Sequence, residues 1–330
     1  ASDADATLLG VTASTYVSRD ISAAGDHDGD GYDDFFVGGH GYDTPATNVG
    51  IAYLVYGSAT ALSGSSSLGG HLSFVGVSSG DYIGYRRSTG AADVNGDGFS
   101  DLVLGAYGRD DSSVYTVGST YLFHGDGTAW TGTVSVDSAD LIIVGESGDG
   151  SGDSAFGQSV EDAGDLNGDG YNEIVVTAKY QDTASAEDVG AAYVFFGAAA
   201  SASGTATASD ADLVITGEEA FGYLGYTGGS LGDFDGDGTD DLYVSEDNSD
   251  HDGVTDAGAV YVWFGDAALA GSVVASDADF TVHGTEEDEL LGYSAASGDF
   301  NGDGQGDLLA GALGNDGFTG AVFLVLGLGE

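Results

Sequence analysis

The sequence predicts an all-β protein, a β-propeller of five four-stranded blades, and three observations lead to this prediction. A nine-residue acidic loop occurs five times, at intervals of 66–72 residues. Each loop lies between short β-type segments that also recur, while helical periodicity is nearly absent. The 330 residues include 59 glycines and a single proline, a composition suited to many tight turns. Because a four-stranded unit cannot bury both of its faces alone, five such units are expected to stack around a common axis.

The strands of one repeat follow the order A, B, C, D. Strand A precedes the acidic loop and strand B follows it, as in DLVLGA (101–106). Strand C has the pattern G-x-x-[YF]-[LV]-x-x-G, as in GAAYVFFG (190–197), and strand D has the pattern of ADLVITG (211–217). Aromatic and β-branched residues in such segments are typical of buried strands. The expected repeats cover about 11–76, 77–145, 146–217, 218–284 and 285–330, after a first strand within 1–10.

The two ends of the polypeptide suggest how the ring closes. The sequence begins with a D-type segment, ADATLLG (4–10), and ends after a C-type segment, GAVFLVLG (320–327). The N-terminal segment is therefore the strand available to complete the last blade, which would remove a free sheet edge. We expect residues 1–330 to form one domain closed in this way. A fragment cut from a larger ring at the same register would have the same sequence pattern, and this alternative stays open.

The acidic loop has the pattern D-x-[DN]-G-D-G-x-x-[DE], which suits a hard divalent cation. Side-chain oxygens stand at positions 1, 3, 5 and 9, and position 7 offers its backbone carbonyl; Ca²⁺ takes six to eight such ligands. Position 12, where an EF-hand has its bidentate glutamate, is apolar in all five copies. The alternative is a solvated Asp/Gly turn without an ion, but three or four carboxylates within nine residues repel one another unless a cation neutralises them. Loops 1 to 5 are DHDGDGYDD (26–34), DVNGDGFSD (93–101), DLNGDGYNE (165–173), DFDGDGTDD (233–241) and DFNGDGQGD (299–307).

We therefore expect about five Ca²⁺ ions with a structural role. The predicted ligands are Asp26, Asp28, Asp30, Tyr32 and Asp34 in loop 1; Asp93, Asn95, Asp97, Phe99 and Asp101 in loop 2; Asp165, Asn167, Asp169, Tyr171 and Glu173 in loop 3; Asp233, Asp235, Asp237, Thr239 and Asp241 in loop 4; and Asp299, Asn301, Asp303, Gln305 and Asp307 in loop 5.

The charge of the protein limits its partners. It has 55 acidic and five basic residues, a formal net charge of −50. Nucleic acids and anionic membranes bind through basic surface, so neither nucleic-acid binding nor membrane insertion is expected. The sequence has no cysteine, which excludes disulfides, thiol catalysis and cysteine-ligated zinc. The first ten residues lack the basic and apolar regions of a signal peptide, so we expect any secretion signal to have been removed.

Three elements together resemble the FG-GAP repeats of integrin α-subunit propellers and their bacterial relatives. They are the acidic loop, the pairs Phe156-Gly157 and Phe221-Gly222 that precede it, and remnants of a Gly-Ala-Pro triplet in LGAYG (104–108) and AGALG (310–314). The resemblance covers all five repeats and is most specific in the acidic loop. It implies a secreted or cell-surface, calcium-stabilised adhesion or structural module, whose partner binds on the face formed by the B–C and D–A loops. Integrin propellers have seven blades, so five blades depart from the family pattern.

The expected ligand on that face is a protein or a glycan, and self-association is a further possibility. Aromatic residues in the D–A loops could stack on sugar rings, as in a calcium-dependent lectin, or fill the interface between blades: Tyr16, Tyr82, Phe156 and Tyr223. No catalysis is expected, because the sequence has no G-x-S-x-G, H-E-x-x-H or G-x-x-x-x-G-K-[ST] motif. Its acidic residues could include a glycosidase-type pair, but none stands out.

The few basic residues also fall on this face or at the start of A strands. They could form an anion-receiving site near the central channel, or they could compensate the charge of neighbouring acidic residues. The sequence favours charge compensation. The residues concerned are Arg19, Arg86, Arg87, Arg109 and Lys179.

Overall fold

The protein is an all-β propeller arrangement of five blades, as the sequence predicts. The computed structural model describes residues 4–86, 89–110, 116–146 and 153–329. Among these residues the one α-helix is a single turn, α1 (Asn315–Phe318), and no helix there has the length and apolar character needed to cross a membrane. The strands in order along the sequence are β1 (Ala6–Leu9); in blade 1, β2 (Val17–Gly25), β3 (Asp34–Gly39), β4 (Ile51–Val55), β5 (Gly64–Ser67) and β6 (Leu72–Val75); in blade 2, β7 (Thr89–Ala92), β8 (Asp101–Ala106), β9 (Ser119–Phe123), β10 (Thr133–Ser135) and β11 (Leu141–Val144); in blade 3, β12 (Val160–Gly164), β13 (Glu173–Ala178), β14 (Ala191–Phe195), β15 (Gly204–Thr207) and β16 (Leu213–Thr216); in blade 4, β17 (Leu224–Gly232), β18 (Asp241–Glu246), β19 (Ala259–Trp263), β20 (Gly271–Val274) and β21 (Phe280–His283); and in blade 5, β22 (Leu291–Gly298), β23 (Asp307–Ala312) and β24 (Ala321–Val325).

The predicted A, B, C and D strands form one antiparallel sheet per blade. In blade 3, β12 pairs with β13, β13 with β14 and β14 with β16. The innermost strands β2, β7, β12, β17 and β22 lie next to one another in succession, and each leads into an acidic loop. All acidic loops therefore lie at one end of the propeller, and the B–C and D–A loops lie at the other.

A further short strand lies between strands C and D and extends the sheet of the preceding blade. For example, β20 follows strand C of blade 4 but pairs in parallel with β16, the outer strand of blade 3. β10 pairs with β6 and β15 pairs with β11 in the same way. These segments read GSSS, TVS, GTAT and GSVV, too short and too polar to indicate strands in advance. Blades 1 to 3 thus have five strands, whereas the sheet of blade 4 has four and that of blade 5 has three among the described residues.

Apolar side chains fill the spaces between successive blades. Between blades 3 and 4, Val175 and Val194 pack with Leu242, Tyr261 and Trp263. Equivalent clusters lie between blades 1 and 2, 2 and 3, and 4 and 5. Each large side chain buried in this way stabilises the fold by about 1.5–3 kcal/mol relative to its exposed state, so the inter-blade clusters hold the arrangement together.

The N-terminal strand does not complete the last blade, contrary to the expectation from the sequence. β1 pairs in parallel with β5, from Ala6 opposite Gly64 to Leu9 opposite Ser67. β1 therefore pairs in the same way as the D strands β6, β11 and β16, each of which pairs with the short strand of the following blade. The sheet of blade 5 ends at β24, where Val322 is 71% exposed. The local pairing with β5 places β1 beside blade 1, and the described strands contain no ladder between the first and last blades.

Close backbone contact between blades leads to a testable prediction for Gly105 in β8. A Cβ atom on this residue would lie 2.0 Å from the carbonyl oxygen of Gly157 in the next blade. We expect Gly105→Ala to lower the free energy of unfolding by about 1–3 kcal/mol, because backbone atoms must move to relieve the clash. Urea denaturation with calcium present measures the change.

The matched control is Gly70→Ala. No heavy atom lies within 4 Å of a Cβ placed there, so little change is expected. Equal destabilisation by the two substitutions would show that the blades do not approach each other at Gly105 as described.

Candidate functional site

The acidic loops share one pattern of hydrogen bonds. In loop 3, the Oδ1 atom of Asp165 accepts the backbone N–H of Asp169 at 3.0 Å, and its Oδ2 atom accepts that of Gly170 at 2.9 Å. Asn167 Oδ1 accepts the same Asp169 N–H at 2.8 Å, and Asp169 Oδ1 accepts the N–H of Tyr171 at 3.1 Å. Loops 1, 2 and 5 repeat all four bonds. Loop 4 repeats three of them, and its Asp233 Oδ1 accepts the N–H of Gly236 instead of that of Asp237. Positions 1, 3 and 5 therefore turn their oxygens towards the inside of the loop.

Two glycines allow the backbone to turn this tightly. The φ angle is 71–85° at position 4 and 89–96° at position 6 in all five loops. A residue with a Cβ atom is strained in this region, so the glycines are required by the backbone. In loops 1, 2 and 4 position 4 is also crowded; for example, a Cβ on Gly96 would lie 2.5 Å from the ring of Tyr171 in the next loop.

Position 9 is buried, and in four loops it ties the loop to the end of strand C. In loop 4, Asp241 is fully buried; its Oδ1 atom accepts the N–H of Gly265 at 2.8 Å, and its Oδ2 atom accepts those of Phe234 at 2.7 Å and Asp235 at 3.1 Å. The Oδ1 atom, with one N–H bond, keeps a further lone pair for a cation. Bonds equivalent to those from Gly265 and Phe234 occur at Asp34, Asp101 and Asp307.

Loop 3 has a glutamate at position 9, and its longer side chain bonds differently. Glu173 Oε2 accepts the N–H of Leu166 at 2.6 Å, and its Oε1 accepts a side-chain N–H of Asn167 at 3.2 Å. Burial raises the pKa of Glu173 to about 8, although its backbone hydrogen bond acts in the opposite direction. Burial likewise raises the pKa of Asp34 and Asp241 to about 6. These carboxyl groups are held in positions where a negative charge needs a compensating positive one.

The structure brings most of the predicted ligands of each loop together. In three loops, three acidic side chains have oxygens within 4.8 Å of one another: Asp26, Asp28 and Asp30; Asp165, Asp169 and Glu173; and Asp233, Asp235 and Asp237. Loops 2 and 5 have asparagine at position 3 and the same hydrogen bonds. The residues at position 7 donate their N–H groups to the carboxylate at position 5, and coordination by their carbonyls stays a prediction.

Neighbouring acidic loops are connected directly. The backbone N–H of Asn172, at position 8 of loop 3, donates to the carbonyl of Asp93, at position 1 of loop 2, at 3.2 Å. The corresponding bonds run from Ser100 to Asp26 and from Asp240 to Asp165. The loops thus form a continuous row at this end of the propeller.

At the opposite end, each B–C loop joins the D–A segment of the next blade. The N–H of Leu224 donates to the carbonyl of Val189 at 3.0 Å, and that of Phe156 donates to Val117 at 3.2 Å. This register corrects one element of the sequence analysis, since Leu224-Gly225 and not Phe221-Gly222 occupies the place of Phe156-Gly157. The position needs a buried apolar side chain followed by glycine, and leucine meets this need.

The aromatic residues of the D–A loops have different environments. Phe156 is 1% exposed and packs against Tyr193 between blades. Tyr82 stacks on Tyr107 with ring centroids 5.4 Å apart. Tyr16 is 65% exposed. Phe156 therefore fills the interface between blades, whereas Tyr16 lies on the surface.

A second acidic cavity, which the sequence did not indicate, lies beside blade 4. Its volume is about 350 Å³, and Glu246 lines it together with Glu218 and Glu219. Glu246 is 2% exposed; its Oε2 accepts the Tyr261 hydroxyl at 2.9 Å, and its Oε1 has no hydrogen-bond partner within the described ranges. Burial raises the pKa of Glu246 to about 8. The segment DLYVSE has the pattern of a B strand, but the other four B strands end in glycine or alanine, so the glutamate at its last position was the signal that could have indicated this site.

Comparison with known proteins identifies the repeats. The model of the FG-GAP repeat family matches residues 85–136, 156–195, 225–263 and 291–325. Integrin alpha-5 of Xenopus laevis is 31% identical over 168 residues, which are 49% of this chain and 15% of that protein. Integrin alpha-6 of Gallus gallus is 32% identical over 131 residues, 40% of this chain and 11% of that protein. Phosphatidylinositol-glycan-specific phospholipase D of Dictyostelium discoideum is 26% identical over 221 residues, 64% of this chain and 23% of that protein. The chain therefore matches less than a quarter of the length of each of these relatives.

The buried position 9 generates a prediction that does not depend on metal. We expect Asp241→Asn to lower the free energy of unfolding by about 1–3 kcal/mol in the presence of a chelator, because the new amide N–H₂ faces a backbone N–H donor. The control is Asp237→Asn, since position 5 is exposed and accepts only the N–H of Thr239. Urea denaturation compares the two; equal effects would contradict the anchoring role of position 9.

Glu246 generates a prediction about pH. Its pKa is raised in the folded state, so the folded protein binds more protons than the unfolded chain between about pH 4.5 and 8. Stability should therefore fall as pH rises through this window, and Glu246→Gln should remove that part of the fall. Melting temperatures at saturating calcium, with exposed Glu287→Gln as control, measure it. Parallel pH profiles for wild type and Glu246→Gln would refute the prediction.

Proposed function

Because this chain belongs to the FG-GAP repeat family, we propose that it is an extracellular adhesion or interaction module stabilised by Ca²⁺, with a protein ligand bound by its B–C and D–A loops. The observation that carries the proposal is the difference between the two ends of the propeller. One end has five loops of a single hydrogen-bond pattern, and the other has loops that differ in length and sequence. Variable loops on a constant scaffold are where recognition sites are commonly built.

The donor set of the acidic loops supports Ca²⁺ as the cation. It consists of carboxylate, amide and backbone oxygens, which hard cations prefer, and it has no nitrogen or sulfur ligand. Calcium accepts the irregular geometry of a tight loop more readily than Mg²⁺, which demands near-octahedral coordination. Extracellular calcium modules bind at roughly 10⁻⁴–10⁻³ M, so a calcium-rich medium would occupy the loops.

A cation in one loop would hold more than that loop. In four loops position 9 joins the loop to strand C, as Asp241 does, and the bond from Asn172 to Asp93 joins loop 3 to the preceding blade. Neutralising the carboxylates would therefore stabilise the hairpin between strands A and B and also the contact between neighbouring blades. This is a structural role for the metal.

The relatives support an adhesion role in preference to catalysis. The repeats occur in integrin alpha proteins as well as in the phospholipase D, so likeness to the phospholipase does not imply its activity. An extracellular location agrees with the integrin relatives and with an acidic protein that needs calcium. The match covers a small part of each relative, so the proposal takes the ligand of this chain from its own loops.

The metal role predicts a difference between calcium and chelator. We expect Asp169→Ala to lower the melting temperature in millimolar calcium and to change it little in chelator, because Asp169 acts through the cation. The exposed control Glu287→Ala removes the same charge outside the loops. If chelation leaves the melting temperature of the unmodified protein unchanged, the structural role of calcium is wrong.

The ligand-binding face is tested by loop replacement. Residues 182–188, in the B–C loop of blade 3, are replaced by glycine and serine, and the control replaces the exposed rim segment 59–63. Binding to immobilised cell-surface protein is measured in calcium and in chelator. The proposal expects calcium-dependent binding that the 182–188 variant loses and the 59–63 variant keeps. Binding that survives deglycosylation supports a protein ligand, whereas loss on deglycosylation indicates a lectin.

A further inference from the structure

Cationic side chains surround a tyrosine-lined cavity at the centre of the B–C and D–A loop end. The cavity has a volume of about 410 Å³ and is lined by residues from all five blades: 19–21, 85–86, 159, 226–227 and 293–294. Its size is within the range of sites that bind small ligands or single side chains. In a protein of net charge −50, a concentration of positive groups at this point requires an explanation.

Two arginines are held over tyrosine rings at this cavity. The guanidinium of Arg19 lies 4.0 Å from the ring centroid of Tyr85, and its Nη2 donates to the Tyr85 hydroxyl at 2.7 Å. The guanidinium of Arg86 lies 4.5 Å from the centroid of Tyr226, and its Nη2 donates to the Tyr226 hydroxyl at 2.9 Å. The Nζ atom of Lys179 lies 4.9 Å from the same Tyr226 ring. The tyrosines therefore position three positive charges together.

These cations are not neutralised in the way that Arg109 is. Arg109 lies 3.5 Å from a carboxylate oxygen of Asp81 and 3.2 Å from one of Asp137. Within the residues that the structure describes, neither Arg19, Arg86 nor Lys179 forms such an ion pair. Charge compensation, which the sequence favoured for all the basic residues, explains Arg109 directly. The charges of Lys179 and Arg86 also act at longer range on the buried Asp247: burial raises its pKa, and the two cations oppose this larger effect. The three cations thus have no carboxylate within ion-pair distance in the described part of the protein. Arg87 lies outside the described residues.

The cavity has hydrogen-bond donors for an anion. A guanidinium carries five N–H donors in a planar fork that matches a carboxylate, and the described bonds of Arg19 and Arg86 use one nitrogen each. Ser159, Thr227 and Ser294 also line the cavity, and the hydroxyl oxygens of Ser159 and Thr227 are buried. Asp20 is the one carboxylate among the described lining residues, and it is buried. The donors are therefore arranged to receive a carboxylate group.

We propose that this cavity binds a single carboxylate group presented by a protein partner whose surrounding surface is neutral or basic. The inference rests on the proposed function and specifies the ligand of the same loop face. A partner's cation is disfavoured, because the protein's own cations already lie against the tyrosine rings. A polyanion is disfavoured, because 55 acidic residues repel it. One carboxylate on a neutral or basic surface can accept the N–H groups of an arginine guanidinium without that repulsion.

The test is an NMR titration of the full-length protein in calcium with N-acetyl-glutamate amide, which carries a single carboxylate. N-acetyl-glutamine amide is the neutral isostere, and N-acetyl-glycine mimics the carboxyl terminus of a polypeptide. We expect the glutamate probe to bind weakly, with Kd on the order of 1 mM, and to shift tyrosine ring signals of the cavity. Arg19→Gln and Arg86→Gln should each weaken binding at least tenfold, and Arg109→Gln, which removes the same charge elsewhere, should not.

Equal binding of the glutamate and glutamine probes, or no binding of the glutamate probe, would overturn the inference, and the unmodified protein alone decides this if a variant fails to fold. Tighter binding of N-acetyl-glycine would identify a partner's carboxyl terminus as the source of the carboxylate. Tighter binding of a tri-galacturonate would overturn the choice of a protein partner. If loop replacement abolishes adhesion while both cavity variants adhere normally, the carboxylate site is wrong and the proposed function stands.

Discussion

Carboxylates that accept backbone N–H groups inside a nine-residue turn are the interaction on which the rest of the propeller depends. The aspartate at position 1 binds the amides of positions 5 and 6, and the acid at position 9 binds the start of the loop. The loop therefore fixes where strand A ends and strand B begins, and strand B is buried along its length in blades 3 and 4. The same bonds concentrate negative charge, so the geometry that shapes the blade also favours the cation that we propose for these loops.

The second constraint is the close approach of neighbouring blades. Glycines of strand B, such as Gly105, face the backbone of the next blade with no room for a side chain. Gly38 in blade 1 lies similarly close to the backbone of Gly84, whereas blades 3 and 4 have Thr177 and Ser245 at this position of strand B. Apolar side chains fill the remaining space, and Phe156, in the D–A loop before blade 3, belongs to this packing. Because the acidic loop and the packed interface recur from blade to blade, the blades stack in one orientation, and the loop row and the variable loops separate to opposite ends.

Most of the repeat could be predicted from the sequence, because local chemistry determines it. The B strands begin at the last loop residue, and residues 101–106 form a strand with the predicted bounds. The short strands β5, β10, β15 and β20 could not be predicted, since their small polar residues gain a strand conformation only by pairing with another blade. The pairing of β1 with β5 was missed for the same reason, as two edges were available and the pattern did not distinguish them.

The candidate sites differ in the same way, since one depends on local spacing and the others depend on tertiary contacts. The predicted metal-ligand positions follow from spacing within nine residues and need no tertiary contact. The cavity at Arg19, Arg86 and Tyr226 is lined by residues up to 275 positions apart, and only the stacking of the blades brings them together. The burial of Glu246 likewise depends on tertiary contacts, with Tyr261 and the neighbouring Glu219.

The bond from position 8 of one acidic loop to position 1 of the preceding loop has a consequence for evolution. Each unit offers one donor to the unit before it and one acceptor to the unit after it. A unit copied by tandem duplication of its coding segment would thus insert without leaving a backbone N–H or C=O group unpaired at either junction. The gain or loss of whole units then has little effect on the stability of the acidic-loop end of the molecule. Selection on the number of units therefore acts through the geometry of the central cavity that the blades surround.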